Sequence, residues 1–169
     1  VAVAGLVLGF SISGANQLVN VVFGSWIEAS FGIQLAALAA ASAVIGASEL
    51  GGEGIVTFFS DNFGKRRLVM LGVGGNIIAC LILPFMNFSL AASLIGLFLF
   101  YFSFELALVA TIPLATELSP NARTMYMTVL VAAFTFGRAV FTPIAPFVFQ
   151  SGLLMNCLLA IILNIIAFI

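Results

Sequence analysis

The chain has 169 residues, of which 63% are apolar and only 7% charged, with 18 Phe and no His, and its mean hydropathy is +1.30. That composition excludes an ordinary soluble domain and leaves a protein whose solvent is lipid. The net charge of −1 says nothing about partners, because charges this sparse act by position and not by sum, and nucleic acid is not expected among them.

At about 20 residues per span the length allows roughly six crossings. The first apolar stretch runs from Val1 to Phe23 and is expected to stop at a polar turn, Gly24-Ser25-Trp26-Ile27-Glu28, with the single Trp at the membrane interface. The second runs from Gln34 to Phe59 and ends in a polar break, Asp61 to Arg67. The third, Leu68 to Phe85, closes on Pro84 and turns through Asn87-Phe88-Ser89, with Ser89 placed to cap the next helix. The fourth runs from Leu90 to Leu114. The fifth starts at Pro120, a favoured first helical residue after a Ser119 cap, and reaches Phe149. The sixth runs from Gly152 to Ile169. Runs of this length must be helices, since a barrel strand needs about ten residues of alternating character. The fold expected is all-α: one polytopic bundle of six transmembrane helices over residues 1–169. The chain begins at Val1 and no signal peptide can be picked out, so it reads as a piece of something longer.

Lys65, Arg66 and Arg67 lie between the second and third spans and Arg123 between the fourth and fifth, while the opposite turns carry no Lys or Arg. The positive-inside rule therefore makes those two breaks cytoplasmic, with both ends of the chain on the same side and the protein in a plasma (inner) membrane. Four charges remain unexplained by topology. Arg138 lies roughly 18 Å into its span and Glu105 roughly 10 Å from the inner end of its own. Glu49 and Glu53 sit in the inner half of the second span. An ionised group at such depth costs at least ~2.5 kcal/mol, so these side chains should face protein or water. Side chains lean toward their helix N-terminus, which brings Arg138 toward Glu105 and Glu49 in depth. Such a pair would either lock two helices or handle substrate or protons. Glu49 and Glu53, four apart on one face, form a candidate proton site.

In the first span Asn16 and Asn20 share a face with Gln17 beside them, either bonding between helices or lining a cavity. Gly5, Gly9 and Ser13 form a stripe of small residues suited to helix packing, as do Gly72, Gly74 and Gly75. The third and sixth spans carry no charge and are expected to face lipid. Cys80 and Cys157, in apolar runs, read as small hydrophobes.

The run Thr57 to Arg67 resembles the loop signature of the major facilitator superfamily, G-x-x-x-D-x-x-G-[RK]-[RK], in its usual place between the second and third helices of a six-helix half. Thr57 stands where the first Gly is usual. Glu117-Leu118-Ser119-Pro120-Asn121-Ala122-Arg123 is similar to the acidic, Pro and Arg cluster between the fourth and fifth helices. Gly137, Thr142-Pro143 and Ala145-Pro146 resemble the antiporter signature only loosely. The resemblance implies one half, the C-terminal one favoured, of a twelve-helix transporter, built from two inverted three-helix repeats. It implies secondary transport of a small solute by alternating access, with protons as the candidate coupling ion, no cofactor, and the other half as partner. In that scheme Asp61 latches the cytoplasmic side against the other half, and Gly64 makes the tight turn. Lys65, Arg66 and Arg67 meet anionic lipid or partner acids, Glu117 and Arg123 join the same charge network, and Asn16, Asn20 and Glu105 line the pathway. Glu105 is the first choice for the coupling carboxylate and Glu49 the second. A non-transporting scaffold or receptor on the same fold is the alternative. An intramembrane enzyme lacks its residues here: there is no His, and the single Asp lies in the polar break.

Overall fold

The computed structural model of the protein describes residues 2–32, 35–118 and 122–168. Its elements are α1 (Ala2–Asn20), α2 (Phe23–Phe31), α3 (Leu35–Phe63), α4 (Lys65–Ile82) ending in a 3-10 turn (Leu83–Phe85), α5 (Leu90–Leu118), α6 (Arg123–Phe149) and α7 (Leu153–Phe168). Helices are the structures that satisfy every backbone N–H and C=O within one apolar segment. Five stretches, Val3–Phe31, Leu35–Phe63, Lys65–Phe85, Leu90–Glu117 and Arg123–Phe149, are long and apolar enough to cross a membrane, and α7 is a shorter apolar helix. The expected helix start at Ser119-Pro120 and the span limits at Val1, Gln34 and Ile169 lie outside the described residues.

Two boundaries correct the reading of the sequence. The expected polar turn at Gly24–Glu28 is helical: α2 continues α1 after a brief turn at Val21 and Val22, and the single Trp lies within α2. Ser25 and Glu28 are exposed while Trp26 and Ile27 are buried, so the polar residues mark one side of an amphipathic helix. The break at Asp61–Arg67 is not a loop either. Helix α3 runs on through Phe63 and α4 restarts at Lys65, with Gly64 alone between them at φ 84°, a left-handed conformation that suits glycine. Ser89 does cap α5 as expected, its Oγ accepting from Ala92 N at 3.2 Å.

The packing is selective. α4 lies along α5, α1 along α6, α3 along α5, and α1 along α7, with α4 also against α7; α1 touches α5 more lightly. Small residues make the closest approaches, as the glycine stripes predicted. A Cβ at Gly9 would lie 2.9 Å from the Phe134 ring, and one at Gly72 would lie 2.5 Å from the backbone N of Ala107. Gly75 faces Ser103 as tightly, whereas Gly74 has ordinary room.

The uncharged third and sixth spans each expose an apolar face, with Ile78 and Leu81 outward on α4 and Leu158 and Ile162 outward on α7. Each also has a buried face, where amides find partners. Asn76 on α4 and Asn156 and Asn164 on α7 are all buried. Asn76 donates to Phe100 O (2.9 Å), Asn164 donates to Asn76 Oδ1 (2.8 Å), and Asn156 donates to Leu18 O (2.8 Å) and Ala145 O (2.9 Å). Both cysteines are free and buried, and Cys80 donates weakly to Asn76 Oδ1. The thinly packed helices are α3 and α6. Their most apolar stretches are 22% and 11% buried, against 44% in α4 and 61% in α5.

Candidate functional site

Alternation of the helices places the α3/α4 corner, the end of α5 and the start of α6 at one end of the bundle. There Lys65, first residue of α4, forms an ion pair with Glu117 near the end of α5, the one salt bridge among the described residues. Asp61 lies near enough for its charge to act on Lys65. Arg66, Arg67 and Arg123 stand exposed at the same end, as does Asp61. These charges oppose the helix dipoles: an acid in the last turn of α3 and three bases in the first turn of α4 each cost a few tenths to about 1 kcal/mol. Helix stability therefore does not account for them.

A second set of charges lies along the bundle. The Cβ of Glu105 on α5 is 2.9 Å from the position a Cβ on Gly52 would take, so α3 meets α5 at this carboxylate. Glu53 follows Gly52 directly and Glu49 lies about one turn before it. On the other flank Gly137 packs into the backbone of α1, where an added Cβ would be 2.3 Å from Phe10 O and 3.2 Å from Gly14 N, and Arg138 follows it. Glu105 is buried at 8% exposure, Glu49 is half-buried, and Glu53 and Arg138 are exposed. The charges of Glu49, Glu53 and Arg138 all act on Glu105. The expected contact of Arg138 with Glu105 or Glu49 is not an ion pair here, because α5 and α6 are only lightly packed together.

Of the amides expected in the first span, Asn20 accepts from the hydroxyl of Tyr101 on α5 at 2.8 Å. Asn16 is buried with its Nδ2 unpartnered, and Ser13 Oγ is likewise buried without a partner. Gln17 is half-buried. The structure thus sets Glu49, Glu53 and Glu105 where α3 meets α5, sets Arg138 on α6 where it meets α1, and keeps Lys65 and Glu117 at the end of the bundle. Tyr101 was missed by sequence reasoning. A tyrosine in an apolar run, whose hydroxyl needs an acceptor, was the signal available.

Among the described residues no group of His, Cys, Asp or Glu converges as a metal site would. Comparison with protein-family models, with curated proteins and with solved structures finds no match.

Proposed function

We propose that this chain is one six-span half of a secondary active transporter of the major facilitator type, which moves a small solute by alternating access against a partner half. The observation that carries the reading is the charged, thinly covered side formed by α3 and α6. Glu53 and Arg138 are exposed on it, and exposure to hydrocarbon would cost each at least ~2.5 kcal/mol, so water or a polar partner must cover it. A cavity shared with a second half supplies both.

An internal two-fold correspondence supports the same reading. With α1–α2 counted as one span, every close pairing has its counterpart when that span is exchanged with α5, α3 with α6, and α4 with α7. The details agree. Gly137 approaches a carbonyl and the amide nitrogen four residues on, Phe10 O and Gly14 N; Gly52 approaches Phe102 O and Leu106 N in the same way. Gly64 and Gly152, both at positive φ, each directly precede a helix. They stand as far apart in sequence as the bonded pair Asn76 and Asn164, which are 88 residues apart. Two inverted three-helix repeats are the arrangement that such an exchange describes. In this arrangement Glu53 and Arg138 are counterparts with opposite charge.

The basic end is then cytoplasmic. Asp61 and the exposed Arg66, Arg67 and Arg123 meet the partner half there, and Lys65 is committed to Glu117. The test is accessibility in vesicles of the full-length protein. Glu53→Cys and Arg138→Cys should react with a membrane-impermeant maleimide added from either side, while the buried Cys80 and Cys157 do not. No labelling from either side would mean lipid contact, and labelling from one side alone would mean a static scaffold.

A further inference from the structure

At the basic end the helices leave between them a cavity of about 390 Å³, walled by α1, α4, α5, the start of α6 and the end of α7. Its wall is apolar, with Leu8 on α1, Val69 and Val73 on α4, Leu114 and Ala115 on α5 and Ala167 on α7. The polar side chains within it are already engaged. Thr111 Oγ1 donates to Ala107 O at 2.7 Å, and Tyr126, its hydroxyl seated against Gly5, is not without a partner. A water molecule needs about 2–4 polar partners, which this wall does not offer, so the cavity suits hydrocarbon and not solvent.

One charge stands at the cavity. Arg66, in the first turn of α4, lines it and is exposed. Lys65 is committed to Glu117, and Arg67 and Arg123 stand at the same end without lining the cavity. The described charges of that end are Lys65, Arg66, Arg67 and Arg123 against Asp61 and Glu117, so an anion is favoured there. From Arg66 the apolar wall continues along α4 to Val73, about 10 Å deeper into the bundle. Met70 and Phe168 also line the cavity and are exposed, so its opening lies beside them, toward the basic ends of α4 and α7. A ligand with polar groups along its length would lose their hydrogen bonds inside. One with a single anionic head and an apolar tail loses nothing.

We infer that this cavity seats an acyl chain of an anionic membrane lipid, whose phosphate rests on Arg66. A guanidinium takes phosphate oxygens through paired hydrogen bonds, and a basic pocket between membrane helices suits such a headgroup. The site is independent of transport. It occupies Arg66 and leaves Arg67 and Arg123 for the partner half.

Native mass spectrometry of the detergent-solubilised full-length protein, titrated with dioleoylphosphatidylglycerol or the zwitterionic dioleoylphosphatidylcholine, tests it. The tightest phosphatidylglycerol site should exceed phosphatidylcholine in affinity by at least about fivefold. Arg66→Gln should bring phosphatidylglycerol down to the level of phosphatidylcholine. Arg67→Gln, which removes the same charge from the same end, should keep most of the preference. Ala4→Phe, at an exposed position that lines the cavity, should weaken both lipids by about fivefold or more by filling the space. Glycerol phosphate, a head without a tail, should displace neither lipid. Equal affinity for the two lipids, equal losses in Arg66→Gln and Arg67→Gln, or displacement by glycerol phosphate would each overturn the inference. Unchanged binding in Ala4→Phe would put the lipid on the outer surface and overturn the cavity as its seat.

Discussion

The α4/α7 side of the bundle and the α3/α6 side are built from nearly the same apolar residues and solve opposite problems. On the first, amides are buried and almost fully used: Asn76, Asn156 and Asn164 tie α7 to α4, α1 and α6, and only Asn156 Oδ1 is left unpartnered. On the second, full charges are left at the surface and the helices are held chiefly along one neighbour each, α3 on α5 and α6 on α1, with glycines at the closest approaches. The contrast teaches that in an apolar chain charge does not mark the interior. Here uncharged amides mark the packed side, and exposed charges mark the thinly covered helices.

The comparison can be broken at several points. The largest effect is expected where α6 has no room to yield. Gly137→Leu drives a Cβ against the Phe10 carbonyl, and thermal unfolding of the detergent-solubilised full-length protein should show a loss of about 3 kcal/mol or more. A loss under about 1 kcal/mol would mean that α6 is free to drift from α1. Next, Asn164→Leu should cost about 1 kcal/mol, since Asn76 Oδ1 then keeps only the weak thiol of Cys80. A double-mutant cycle with Asn76→Leu should return a coupling of roughly 0.6 kcal/mol, and a coupling of zero would remove the amide link from the account. Glu117→Gln should cost about 0.2–1 kcal/mol and the difference should fade as salt is raised, because the Glu117 side chain is 56% exposed. The smallest effect belongs to the open side: Glu53→Gln and Arg138→Gln should each change stability by less than about 0.5 kcal/mol. A large loss at either would show that the chain covers that side by itself.

Much of this was legible in the sequence. The long apolar helices follow from the apolar runs, the corner from a glycine before three bases, and the Ser89 cap from a hydroxyl ahead of an apolar run. What was hidden depended on register. Nothing in the chain tells Asn76 that it will meet Asn164, because the pairing depends on two helices distant in sequence being aligned. Trp26 misled because a polar cluster at a span end fits both a turn and one side of a continuing helix. The proposed repeat was concealed for a different reason: Glu53 and Arg138 occupy corresponding places after corresponding glycines, yet they differ in sign, so residue similarity is erased where backbone similarity persists. The candidate site was half visible. Glu49, Glu53, Glu105 and Arg138 stood out as charges out of place, but their one-sided exposure could be read only from the packing.

The corner at Gly64 has a mechanical consequence. One residue outside the helices leaves two soft dihedrals between α3 and α4, one of them already in a region open to glycine and few others. The two helix ends cannot separate, so any tilt of α3 against α4 has to be taken up in those two dihedrals, and the corner is a hinge and not a spacer.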